Sequence, residues 1–191
     1  WVDEAQALRK KGELDAAEKI AREKLGGPPA ERAAAEGLLA RIALRRGKID
    51  EAEKHFRSAI ALDVEAGRVS DRAEDAFALA FVLHQRARRY ADARHVLDEV
   101  EKGLGDYPDG RALLPFYRGQ VALEAGDPRS ALRFLALSIE LGDRIGLDRA
   151  TRPARSVRGM VMCRTGGIRP CIATLKEAER ALDRSPNVSA C

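Results

Sequence analysis

Aromatic residues are scarce, at 5% of 191 positions, although hydrophobic residues as a whole make up 45%. A core filled by rings is thereby excluded. Burial must come from Ala and Leu, whose size and helix propensity suit close helix-to-helix packing. Runs of β-branched residues that would make strands are few. No segment reaches the roughly 18 uninterrupted apolar residues of a membrane-spanning helix, and the start carries no basic-then-apolar signal, so a soluble protein with no membrane partner is expected. Cysteine occurs three times (Cys163, Cys171, Cys191), without a CxxC pair or a regular framework. That usage points to a reducing compartment and a cytoplasmic protein. Arg far outnumbers Lys, which points to a GC-rich bacterial genome.

Charge of one sign is also missing: 34 basic residues face 30 acidic ones, a net charge of +4 interleaved along the chain. Such a mixture reads as a solvated face, and no basic stretch with interleaved aromatics marks a nucleic-acid surface. Catalytic signatures are absent as well. There is no GxxxxGK[ST] loop, no GxGxxG after a strand, no HExxH and no GxSxG. His55, His84 and His95 fall on three different predicted helices with no Cys nearby, too dispersed for a zinc site, although His84 and His95 could meet across one hairpin. Paired acids such as Asp98-Glu99 read as solvated. Neither an enzyme, a metal nor a cofactor is expected.

What is present is a repeat. A phrase of small residue, polar, any, polar, any, Ala occurs as Gly12-Glu13-Leu14-Asp15-Ala16-Ala17, Gly47-Lys48-Ile49-Asp50-Glu51-Ala52 and Gly126-Asp127-Pro128-Arg129-Ser130-Ala131. Looser copies are Arg88-Arg89-Tyr90-Ala91-Asp92-Ala93 and Gly166-Gly167-Ile168-Arg169-Pro170-Cys171. Gly can end one helix in the left-handed conformation, while Asp, or Pro in the first turn, begins the next. The closing Ala falls where the second helix presses on the first, so a small side chain permits close approach. The pattern predicts helical hairpins, with helices over 2–11, 13–25, 30–46, 48–66, 70–87, 90–103, 110–125, 128–145, 150–165 and 168–183. Pro115 should make the seventh helix start late or kink. Cys163 and Cys171 flank the fifth turn, where a regulatory disulfide competes with the stronger reading of Cys as a small buried hydrophobe.

Ala40, Ala43, Gly47, Ala52, Phe56 and Ala59 follow, in order, the hallmark positions of the tetratricopeptide repeat, which the chain resembles over nearly its whole length. Trp1, Ala5, Leu8, Gly12, Ala17 and Ala21 match similarly, as do Gly119, Ala122, Gly126, Ala131 and Leu135. The closing small residues are 35, 41, 38 and 40 positions apart, so only the first spacing is near the usual 34. The hallmark Pro between repeats is missing. The resemblance implies an all-α, right-handed solenoid of about five antiparallel hairpins. It would form a single domain over 1–191, with repeats at 1–27, 28–68, 69–108, 109–147 and 148–185, as a fragment of a larger protein.

A solenoid of this kind implies a concave groove that receives a peptide or a partner domain. By family register its lining should include Gln6, Arg9, Arg41, Arg45, Phe77, His84, Phe116, Gln120, Glu124, Met160 and Arg164. The four Arg residues favour an acidic segment as ligand, since guanidinium groups grip carboxylates through paired hydrogen bonds. The alternative is that they only solubilise the inner face. A Lys/Asn clamp for chaperone tails is excluded, because Asn187 is the only Asn in the chain. The expected function is a protein-interaction scaffold, with a homo-oligomer through the open terminal repeat as another arrangement. A competing reading makes the chain the sensor or regulatory arm of a multidomain bacterial signalling protein, such as a transcription activator, a kinase or a caspase-like protease.

Overall fold

The computed structural model describes residues 1–165 together with 172, 173 and 176. Among the described residues the chain is all-helical, with no strand. Two compact units divide it at Tyr107 and Pro108.

The first unit holds six helices: α1 (Val2–Lys11), α2 (Leu14–Glu23), α3 (Pro29–Arg45), α4 (Ile49–Glu65), α5 (Val69–Phe81) and α6 (Tyr90–Lys102). A π-helical turn, Val82–Arg86, prolongs α5. Each helix packs on the next in sequence, and α1 also touches α3. The described part of the second unit holds α7 (Pro108–Glu124), α8 (Pro128–Ile145) and α9 (Asp148–Thr165), with α8 against both neighbours and α7 also against α9. These bounds agree with the first nine sequence-predicted helices to within about three residues at most ends. Most of the tenth, over 168–183, lies outside the described residues; 172, 173 and 176 are helical.

The turn chemistry explains why the hairpins close where they do. Gly12, Gly47 and Gly126 have φ of 91°, 75° and 84°, the left-handed conformation that costs glycine little. The amide that follows each glycine donates back to a carbonyl of the preceding helix: Glu13 to Leu8, Lys48 to Ala43 and Asp127 to Ala122, at 3.0, 2.9 and 2.8 Å. In the third copy Arg88 holds the same position with φ 55°, and Arg89 donates to Leu83 at 2.8 Å. At the fourth turn the Asp127 carboxylate accepts from the Ser130 amide at 3.0 Å, capping α8 ahead of Pro128.

Small residues sit where the helices meet. Ala17, Ala52, Ala93 and Ala131, which close the four described phrases, are all fully buried. Their neighbours Phe56, Leu97 and Leu135 are buried with them, supplying most of the side-chain volume at each contact. Cys171, the fifth closing residue, lies outside the described residues.

Pro115 does not delay α7, which begins at Pro108 and runs to Glu124 with the proline inside it. Leu113, Leu114, Phe116 and Val121 are buried around it. Burying that apolar surface outweighs the one hydrogen bond the proline removes.

Candidate partner-binding groove

A cavity of about 380 Å³ opens on the first unit between α1, α3, the end of α4 and the start of α5. Three of the residues expected from sequence line it: Gln6 and Arg9 from α1, and Arg41 from α3. Facing them is a set of groups that the sequence reading did not single out: Asp63, Arg68, Asp71, Glu74 and Asp75. The lining is therefore mixed in charge, where a surface tilted towards positive was expected.

Arg41 is already engaged. Its Nη1 donates to Asp75 Oδ1 at 2.5 Å and to the Gly37 carbonyl at 2.9 Å, and its guanidinium lies 5.3 Å from the centre of the Phe56 ring. Gly37 makes the arrangement possible, because a Cβ there would come within 2.7 Å of Asp75 Oδ2 and 3.2 Å of Arg41 Nη1. Burial pushes the Asp75 carboxyl above its ordinary range, and Arg41 pulls it back down.

Arg9 and Arg45 have a different electrostatic setting. Neither forms an ion pair or a side-chain hydrogen bond among the described residues, and Arg9 Nε is buried without a partner. Partial burial lowers the Arg9 pKa, and the positive charges of Arg41 and Arg45 lower it further. Three guanidinium groups thus converge, with one carboxylate, Asp75, already bound to Arg41.

Asp63 is the most unusual group on the opposite wall. It is 1% exposed, and neither carboxylate oxygen has a hydrogen-bond partner. The nearest cation, Arg68 Nε, is 3.7 Å from Oδ1, beyond hydrogen-bonding reach. Arg68 is held instead by the Ala30 carbonyl, at 2.6 Å from Nη1, and by Asp71, at 3.0 Å from Nε. Desolvation, reinforced by Asp75, pushes the Asp63 carboxyl up to about 7. The signal for Asp63 was present in the sequence: Ala52, Phe56, Ala59 and Asp63 follow helical spacing along one buried stripe, and the last is charged.

The other expected lining residues do not join this cavity. Phe77, His84 and Phe116 are core residues and not part of a groove, at 0%, 1% and 8% exposure. His84 sits in the π-helical turn, where Nδ1 donates to the Ala80 carbonyl at 2.7 Å and the ring meets Phe81 edge-on. The reason is rotational, since a helix turns about 100° per residue, and for His84 the π-helical turn that holds it shifts the phase again. In the second unit Gln120 is half-buried, with Oε1 unpartnered, while Glu124, Met160 and Arg164 are exposed. Arg45 is exposed beside Arg9.

A second cavity, about 370 Å³, lies on the face formed by α4, α5 and α6 and is largely apolar, with Ile60, Val64, Leu79 and Val96 in its lining. His95 lines it as well, while His84 is buried in the core, so the two histidines do not form a pair there. Among the described residues no three His, Cys, Asp or Glu side chains are grouped to hold a metal ion. No described helix is long and apolar enough to cross a membrane. Cys163, near the end of α9, is exposed and disulfide-bonded instead of serving as a small buried hydrophobe.

No family model and no curated protein matches the chain. Among solved structures, the crystal structure of BtubC (BKLC) from P. vanneervenii is similar to it, with a TM-score of 0.77 at 20% sequence identity. The similarity covers 98% of this chain and 82% of that one. At that identity the likeness concerns the fold alone, and it places the chain beside another all-helical protein.

Proposed function

We propose that the chain is a tetratricopeptide-like helical-repeat scaffold, a right-handed stack of hairpins that holds a segment of another polypeptide and performs no catalysis. The observation that carries this reading is the cavity on the inner helices of the first unit, where Arg9 stands unpaired beside Arg45 and opposite carboxylates. Two guanidinium groups without carboxylate partners are suited to accept an acidic side chain or a chain terminus through paired hydrogen bonds. Helix-terminal turns and close-packed small residues make the surrounding walls rigid, which lowers the ordering cost of binding.

Arg41 is a poor choice for testing this, because its charge stabilises buried Asp75. Arg9→Gln combined with Arg45→Gln removes the free charges and leaves the Arg41–Asp75 pair in place. An array of short peptides of varied charge, read with the wild-type chain and with this double variant, gives the test. Retention of acidic peptides by the wild type and their loss from the variant is expected. Equal retention by both proteins would mean that these arginines only keep the helix face in water.

A further inference from the structure

The buried carboxylate on the far wall of the same cavity carries the inference further. Leaving an ionisable group out of water without a hydrogen-bond partner destabilises a fold, and replacement by a neutral side chain is the usual remedy. Asp63 keeps its charge-bearing group at 1% exposure, with both oxygens unpartnered, on the wall of a cavity wide enough for a side chain. The residues nearest to it do not satisfy it. Arg68 is tied to Ala30 and Asp71, and Asp75 is tied to Arg41.

We infer that Asp63 is the receptor for a cationic side chain, guanidinium or ammonium, carried by the polypeptide that the groove holds. The inference rests on the scaffold reading above and adds a second anchor to it. Arg9, with exposed Arg45 beside it at the rim, takes a carboxylate on one side, and Asp63, flanked by Asp71 and Asp75, takes a cation on the other. A segment bearing both charges therefore fits in one direction only. Arg68 spans the approach, with 28% of its side chain exposed, and its swing away from Ala30 admits the incoming cation. The entering group donates the hydrogen bonds that Arg68, 3.7 Å away, does not supply. The raised Asp63 pKa agrees with a carboxylate waiting for a counter-charge, since a bound cation would bring it back down.

The test uses N-acetyl-arginine amide as probe and N-acetyl-citrulline amide as its neutral isostere, titrated into the whole chain and followed by amide chemical shifts. The arginine probe should bind about tenfold more tightly than the citrulline probe, with shifts centred on 63–75. Asp63→Asn should erase that preference while the protein stays folded, because it removes an uncompensated buried charge. Arg68→Gln, which removes a competing cation, should strengthen arginine binding. Equal affinity for the two probes, or a preference that survives Asp63→Asn, would overturn the proposal. N-acetyl-glutamate amide separates this failure from that of the scaffold reading. Shifts at Arg9 and Arg45 with this probe, alongside indifference to arginine, would leave the groove standing and remove only its cation site.

Discussion

Arg41 of α3 and Asp75 of α5 meet at 2.5 Å although 34 positions separate them in sequence. The pair ties α3 to α5 at the lining of the first unit's cavity. Asp75 has 8% of its side chain exposed and Arg41 32%, so the carboxylate depends on the guanidinium for its charge balance. Arg41→Ala leaves that carboxylate buried and alone, and a loss of about 2–4 kcal/mol in unfolding free energy is expected. Asp75→Asn should cost less, because the remaining guanidinium reaches water. Urea denaturation of the two single variants and the double variant checks this: the double should be less destabilised than the sum of the singles. Strict additivity would mean that the two side chains do not stabilise one another.

Asp63 should shape the pH dependence of stability. Its folded pKa of about 7 lies above the ordinary carboxyl value of 3.8, so the folded state holds a proton that the unfolded chain has released between those values. Stability from this group therefore falls as pH rises from about 4 to 7 and is flat above that range. Asp71 and Asp75 oppose its ionisation while Arg68 and Arg72 favour it, and Arg41 neutralises Asp75 from α3. Asp63→Asn should remove a few kcal/mol of this penalty at pH 8 and change little at pH 4. Parallel stability profiles for variant and wild type across that range would contradict the assignment.

The left-handed turn positions give a paired prediction. Gly47, at φ 75°, should lose about 1 kcal/mol on replacement by Ala, since a Cβ is disfavoured in that conformation. Arg88 occupies the same place in the turn before α6 at φ 55°, so Arg88→Gly should gain roughly 0.5 kcal/mol. Thermal unfolding of both variants decides the matter. Losses of equal size at the two positions would show that the turns are not equivalent.

Phe56 tests the packing. It is fully buried on α4 between Ala52 and Ala59, and the Arg41 guanidinium faces its ring. Phe56→Ala should cost about 3–5 kcal/mol, and Phe56→Leu under half of that, because Leu refills most of the void. Loss of the ring also withdraws support from the Arg41–Asp75 pair.

The hairpins were legible because their signals are local. Gly12, Gly47 and Gly126 end helices by their own backbone freedom, and Ala17, Ala52 and Ala131 pack within a few residues of those turns. The groove was only partly legible. Gln6, Arg9 and Arg41, expected from family register, line a cavity of the first unit, whereas Phe77, His84 and Phe116 are buried in the core. The pairing of Arg41 with Asp75 depends on a neighbour one repeat away, which the sequence alone does not place. Asp63 left a trace as a charge on an apolar stripe, yet only its surroundings reveal that no donor reaches it.

The central claim is that the inner helices of the first unit hold a polypeptide segment. Amide hydrogen exchange of the whole chain, with and without a peptide retained from the array, tests it most directly. Added protection should concentrate in α1, α3 and the start of α5, around Arg9, Arg41 and Asp63–Asp75. Protection confined to α6 and to Ile60 and Val64 of α4, around the apolar cavity, would place the ligand there instead and contradict the account.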